Sequence, residues 1–252
     1  MKKLYCTQNV LPAYIMYMRR TLPIIALVFF ISSCKPDHEK KFDKESGQEE
    51  VLTKESIDAV VDGFETISFS ELNEKYKSYT DPQKKFRSAL ANKTYHIVRG
   101  DDIYKYVVGK YRVKNFLTMD DYYNDNLDDL DANKAQYWLI DKEMLYIILE
   151  IIWKLDELGY DKYGFRVREG HRHPLYNKMR GGASLSQHIH GTAADLVAED
   201  INRDGKQNQK DKKILLQVAE DVVGNRGGVG KYPGSMTVHV DCRGYAARWD
   251  SY

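Results

Sequence analysis

One stretch constrains this chain more than any other: Ser186-Gln187-His188-Ile189-His190-Gly191-Thr192-Ala193-Ala194-Asp195. It sets an imidazole (His188) and a carboxylate (Asp195) seven residues apart, with glycine and small residues that let the backbone approach closely. A second stretch, Val238-His239-Val240-Asp241, follows downstream. Val238 and Val240 alternate there with Thr237, His239 and Asp241. A period of two sends the apolar pair to a core and the polar trio toward a cleft. Any fold built on both stretches is asked to bring His188, Asp195 and His239 together from distant parts of the chain.

Those three side chains suit zinc. Zinc takes neutral imidazole and carboxylate at about 2.0–2.2 Å, usually with four ligands, and a catalytic site leaves one position for water. His188, Asp195 and His239 supply three. No cysteine pair lies nearby to close the sphere as a structural site would. A lone His-x6-Asp is weak, because hydrogen-bonded core residues give the same spacing.

The flanks say where such a site would work. Lys and Arg number 38 against 37 Asp and Glu. That balance gives no support to nucleic-acid binding. Cys6, Cys34 and Cys242 are too few and too far apart for a disulfide framework. Met18-Arg19-Arg20, an apolar run from Leu22 to Ile31 and Ser32-Ser33-Cys34 read as a signal sequence over residues 1–34, with Met16 or Met18 as alternative starts. The apolar run is shorter than the roughly 20 residues a bilayer needs. Ile31-Ser32-Ser33-Cys34 resembles a bacterial lipobox. The resemblance implies a lipid on Cys34 and an anchored position in the cell envelope, facing the periplasm or the surface. An uncleaved anchor is the alternative. Residues 35–55 are Lys, Glu, Asp, Ser and Gly with few apolar residues. They cannot offset their ordering entropy and read as a tether.

Residues 56–142 form an extension with weak helical patterns and a β-rich stretch from Tyr95 to Val113. Asp120 to Asp131 is acidic and expected to be a solvated loop. The 19 tyrosines are expected in a half-buried core and rim. Residues 143–252 form the main domain. Met144, Ile147, Ile148, Ile151, Ile152, Leu155 and Leu158 follow helical spacing, closed by Gly159. Phe165 and Val167 alternate with Arg166 and Arg168 as a short strand. Pro174 predicts a loop, Lys212 to Val223 a second helix ended by Gly224, and Gly227-Gly228-Val229-Gly230 a flexible turn.

Taken together, Ser-x-His-x-x-Gly-x-Ala-x-Asp followed by His-x-Asp resembles the zinc D,D-carboxypeptidases and D-alanyl-D-alanine dipeptidases, whose fold is of the Hedgehog type. Gly170-His171-Arg172, Asn177, Gly181-Gly182, Gly228 to Pro233 and Arg243 to Trp249 extend the likeness from about Leu145 onward. The resemblance implies an α+β domain with an antiparallel sheet and flanking helices. It implies zinc on His188, Asp195 and His239, and a peptidoglycan peptide as substrate. Arg172 matches an arginine that stabilises the oxyanion or binds substrate. Several branches place a glutamate general base three residues before the last zinc histidine, where this chain has Met236. Asp241 is the first substitute, unless it orients His239 or Arg172; His190 and His171 are further candidates. A binding module that keeps the metal without hydrolysis is the rival reading.

Asp200 to Asp211 fits the register of an EF-hand calcium loop. Asp200, Asn202, Asp204, Asn208 and Asp211 fall at oxygen-ligand positions, Lys206 offers its carbonyl, and Gly205 sits at the turn. With aspartate at the last position it resembles the calcium loops of dockerin modules. A polar loop without an ion is the alternative.

Overall fold

The computed structural model describes residues 49–127 and 134–250. The segment expected to be a signal sequence, Cys34 and most of the expected tether lie outside the described residues. In chain order the elements are α1 (Lys54–Asp62), β1 (Thr66–Ser68), α2 (Glu74–Thr80), α3 (Arg87–Leu90), β2 (Thr94–Val98), β3 (Tyr106–Val108), β4 (Tyr111–Arg112), α4 (Asp121–Asp125) and β5 (Gln136–Trp138). The second half adds α5 (Lys142–Glu157), β6 (Phe165–Glu169), α6 (Pro174–Met179), β7 (Ala193–Ala198), α7 (Gln209–Val223), β8 (Gly228–Lys231), β9 (Thr237–Asp241) and β10 (Ala247–Asp250).

The sheet that matters runs β10-β8-β9-β7-β6. Its pairs are antiparallel except β10 with β8, which is parallel. The fold is therefore mixed α and β, with largely antiparallel sheets and flanking helices, as the sequence implies. Alternation divides the two faces of the main sheet. Ala194, Leu196, Val238 and Val240 join the core formed with α5 and α7. Asp195 and His239 lie on the other face.

Helix α5 begins at Asp141, whose carboxylate accepts the Glu143 N–H at 3.0 Å. It buries Met144, Leu145, Ile147, Ile148, Leu149, Ile151, Ile152 and Leu155 and gives way to Gly159 at φ 75°. The left-handed backbone there favours glycine.

Three expectations change. Pro174 opens helix α6 rather than a loop. It occupies the first turn, where no N–H is needed, and the His173 imidazole accepts the Tyr176 N–H at 3.1 Å as cap. Gly228 to Gly230 is strand, not turn. A Cβ at Gly228 would run into the Asp241 carboxylate, and one at Gly230 into the Trp249 ring. Glycine here permits close packing of β8 against its neighbours. Asp120 is buried rather than solvated, accepting from the Tyr79 hydroxyl at 2.7 Å and from His173 Nε2 at 2.9 Å.

The boundary expected between residues 142 and 143 is not a break in packing. Ile57, Val61, Val107 and Val108 share one core with α5 and the main sheet. A second, aromatic core of Tyr76, Tyr95, Tyr123 and Tyr137 belongs to the extension and to β5, and it receives Ile189 from the metal stretch. The tyrosines expected in a half-buried core and rim are, in this cluster, buried.

Candidate metal centre

Strand pairing places two of the three expected ligands. Asp195 on β7 and His239 on β9 are direct cross-strand partners. Opposite residues of an antiparallel pair hold their side chains close on one face. His188 comes from the 3-10 turn Gln187–His190. That turn is pinned by Ile189 in the aromatic core, and Gly191 at φ 70° returns the chain to β7. A Cβ on Gly191 would strike the Leu139 carbonyl, so the turn needs glycine there.

The result is a tight triangle. His188 Nε2 lies 3.2 Å from His239 Nδ1 and 3.3 Å from Asp195 Oδ1, and His239 Nδ1 lies 3.1 Å from that oxygen. Ligands at about 2.0–2.1 Å in a tetrahedron stand about 3.3 Å apart. All three residues are buried, and they are the one His/Cys/Asp/Glu group among the described residues with metal-holding geometry.

Proton placement decides whether the triangle suits a cation. His188 Nδ1 faces the Gly170 carbonyl at 2.6 Å. A carbonyl has no proton, so Nδ1–H donates and Nε2 keeps its lone pair. His239 Nε2 faces Asp241 Oδ2 at 3.2 Å. That carboxylate is held ionised: burial works against it, but His239, Arg243 and the Gly228 amide push its pKa far below the usual range. His239 Nε2–H therefore donates. Nδ1 faces Asp195 at 3.1 Å; burial lowers the His239 pKa, but Asp195 and Asp241 together raise it above the ordinary value, so without a cation Nδ1 holds a proton against Asp195, and a bound cation takes that proton's place. Asp195 has two opposed influences as well. Burial raises it, and His188 and His239 bring it well below the ordinary carboxylate value. Once that proton is displaced, two lone pairs and an anionic oxygen converge, and that donor set fits zinc.

Arg172 lies beside this triangle. Its Nε donates to Glu169 Oε2 at 2.9 Å, and Nη2 donates to both Glu169 and Asp195 Oδ2. Asp195 is thereby divided, with Oδ2 on the arginine and Oδ1 among the imidazoles. Arg172 is itself held by the extension. Its neighbour His171 donates its N–H to the Phe116 carbonyl at 2.9 Å. The Thr118 hydroxyl donates to the His171 carbonyl at 3.0 Å and accepts the His173 N–H at 3.3 Å.

The other expected residues fall elsewhere. Asp241 is fully buried beneath Gly228 rather than facing a cleft. It accepts from Gly228 N–H at 2.9 Å and from Arg243 Nε and Nη2 at 2.8 and 2.6 Å, besides His239. Its position is that of an orienting group behind His239. His190 is half-buried, lies outside the triangle and is not in the cleft wall. His171 is buried behind Arg172, and burial drives its pKa down to about 3. The cleft over the triangle, about 540 Å³, is walled by Arg172, Gln187, Tyr232, Arg243 and Trp249. Sequence reading missed Glu169 and Tyr232. Alternation along the strand hides Glu169, because a bulge between Val167 and Glu169 turns it to the face of Asp195, away from Phe165 and Val167. Tyr232 has no local signal.

In the loop expected to hold calcium, Gly205 sits at φ 80° as a turn there needs. Asp200 accepts the N–H groups of Asp204 and Gly205 at 2.9 and 2.8 Å, and Asp204 accepts that of Lys206 at 3.0 Å. Asn202 Oδ1 accepts the Asp204 N–H as well, at 3.0 Å. Asp211 is fully buried. Its oxygens accept the N–H groups of Ile201, Asn202 and Asn208, and it closes a capping box on α7. Asp200, Asp204 and Asp211 do not converge as a metal group.

A family model described as Peptidase M15 matches residues 130–241, a little under half of the chain. Peptidases of that family are zinc-dependent. The match takes in all three residues of the triangle and Arg172, and it leaves out Phe116 to Asp120, Arg243 and Trp249. No curated protein matches the chain.

Proposed function

We propose that this protein is a zinc peptidase acting on peptidoglycan stem peptides or their cross-links, of the carboxypeptidase or endopeptidase type. One observation carries the reading. One atom each of His188, Asp195 and His239 meet at ligand spacing in a buried triangle, while the second imidazole nitrogens and second carboxylate oxygen are already committed elsewhere. A bound zinc ion supplies Lewis acidity to a peptide carbonyl and lowers the pKa of a water toward about 7.

The chain's own residues supply the rest. Asp241 fixes the His239 tautomer through Nε2–H, and the Gly170 carbonyl does the same for His188. Arg172 Nη1 makes no hydrogen bond among the described residues and is available to a carbonyl oxygen as it gains charge. Tyr232 keeps its phenol proton, because burial and the nearby Asp195 push its pKa up to about 12. It serves as a hydrogen-bond donor to the same oxygen. Asp241, saturated by Arg243, Gly228 and His239, is poorly placed to move a proton.

No carboxylate lines the cleft among the described residues. That favours, as a second reading, a module that holds zinc and binds cell-wall peptide without cutting it. Zinc content and mass analysis of defined muropeptides after incubation test the pair. The expected result is one zinc per chain and cleavage that stops with chelator, returns with zinc and is absent in His239→Ala. Tight zinc with peptide binding and no cleavage selects the module. Cleavage indifferent to chelator overturns both.

Two further parts of the reading concern residues away from the cleft. Lipid on Cys34 would hold the domain at the envelope, and loss of membrane fractionation in Cys34→Ser tests that. Calcium in the loop 200–211 is supported by its register and by the turn at Gly205.

A further inference from the structure

A second hollow adjoins the metal cleft. It measures about 340 Å³ and shares Gly181 and Gly182 with the cleft. One wall is Asp81, Pro82, Lys85 and Phe86 from the extension, and the other includes Pro174, Asn177 and Lys178. The first wall lies outside the residues that match the peptidase family.

That wall is built rather than loose. Asp81 is buried, and its carboxylate accepts the N–H groups of Lys85 and Phe86 at 3.0 and 2.8 Å. Lys84 takes φ 56°, a left-handed conformation rare for lysine, to close the turn. The charge of Asp81 is used within the turn. Lys85 and Lys178 are exposed, and neither has an ion pair among the described residues. Beneath Gly182, Asn177 donates through Nδ2 to the Ala183 carbonyl at 3.0 Å, while its Oδ1 is buried without a donor. The hollow therefore offers two unpaired cations beside an apolar lining of Pro82, Phe86 and Pro174, and one buried acceptor in its wall is short of a partner.

We propose that this hollow is a substrate subsite in which Lys85 and Lys178 take a free carboxylate of the peptide being cut, so that acidic stem peptides are selected over their amidated forms. The proposal rests on the peptidase reading above. Gly181 and Gly182 line both hollows, so a peptide over the metal cleft that carries a free carboxylate can reach the lysines across them. Lysine suits the task as a point charge on a flexible stem, and it does not demand a single carboxylate orientation.

The test compares two synthetic stem peptides, one with its acidic residue free and one with that carboxylate amidated, on the zinc-loaded full chain and on a Lys85→Ala/Lys178→Ala variant. The wild type should prefer the free acid. The variant should raise KM for it by about fivefold, the scale of two exposed ion pairs, with kcat unchanged, and should leave the amidated peptide unaffected. Equal effects on both peptides, or none on either, overturn the proposal. Direct binding of the same two peptides, read by titration calorimetry, keeps the question separate from catalysis. If neither peptide is cut, a lysine-dependent preference for the free acid in binding still supports the subsite, and its absence sinks it. Because both side chains are exposed, the melting temperature of the variant should match the wild type.

Discussion

The triangle of His188, Asp195 and His239 and the loop from Asp200 to Asp211, which begins five residues after Asp195, both read as metal sites. They treat their oxygens and nitrogens in opposite ways. At the triangle every second atom is committed outward, to Gly170, Asp241 or Arg172, and the inward atoms are left facing one another. In the loop Asp200, Asp204 and Asp211 accept the loop's own amides. Buried acceptors without donors are costly, at about 1–3 kcal/mol each. The triangle is relieved by a proton on His239 Nδ1 or by a cation in its place, and the loop is largely relieved by its own amides. Ligand spacing in sequence does not distinguish these cases; the hydrogen bonds of the non-ligating atoms do.

The contrast can be broken in four places. Replacing Arg172 with Ala should have the largest effect, lowering kcat/KM by roughly 10²–10³-fold. The same change leaves the buried carboxylates of Glu169 and Asp195 uncompensated, and about 3–5 kcal/mol of stability should go in denaturant titrations of the metal-free protein. A milder loss would show that Arg172 does not balance the site.

Asp241→Asn keeps the shape but lets His239 choose its tautomer. Zinc affinity, read by chelator competition, should fall by about 10–100-fold. Unchanged affinity would remove Asp241 from the account of the site.

His171 tests how far protons are kept from the neighbourhood. Burial holds its folded pKa near 3, with His173, His188 and His190 adding to the effect, against about 6.5 when unfolded. Below pH 6.5 the unfolded chain takes up a proton that the native chain refuses. Stability is then complete above that value and falls toward pH 3 by up to about 1.4 kcal/mol per unit. His171→Phe should flatten that part of the pH profile; a slope equal to the wild type's would contradict the burial argument.

Calcium should give the smallest response. With Asp211 engaged in the helix cap, the loop belongs with weak sites of about 10⁻³ M. Ten-millimolar calcium then adds about 1.4 kcal/mol, a rise of a few degrees in Tm. No shift would mean a loop without an ion; a much larger one would mean that Asp211 leaves its cap to bind.

Much of this was legible before any coordinates. Helix α5 and strand β9 follow from apolar spacing, and His239 sits on the polar face that the period of two predicts. The failures have physical causes. Asp241 was placed in the cleft by the same alternation, but the glycines of β8 allow that strand to settle over it. Gly228 to Gly230 was read as a turn because glycine is locally permissive; the reason for glycine is Trp249, about twenty residues on. Pro174 has two meanings, and only the cap at His173 selects the helical one. Asp120 looked solvated because its partners, Tyr79 and His173, are about forty and fifty residues away.

The segment Phe116 to Asp120 has one last consequence. It grips the backbone on both sides of Arg172 yet lies before the first residue of the stretch that looks familiar, just as Trp249 and Arg243 lie after the final one. A fragment trimmed to the recognisable boundaries would keep the three ligands and lose their scaffolding. The portable unit, for transplantation or for comparison with distant cousins, is wider than the signature by which it is noticed.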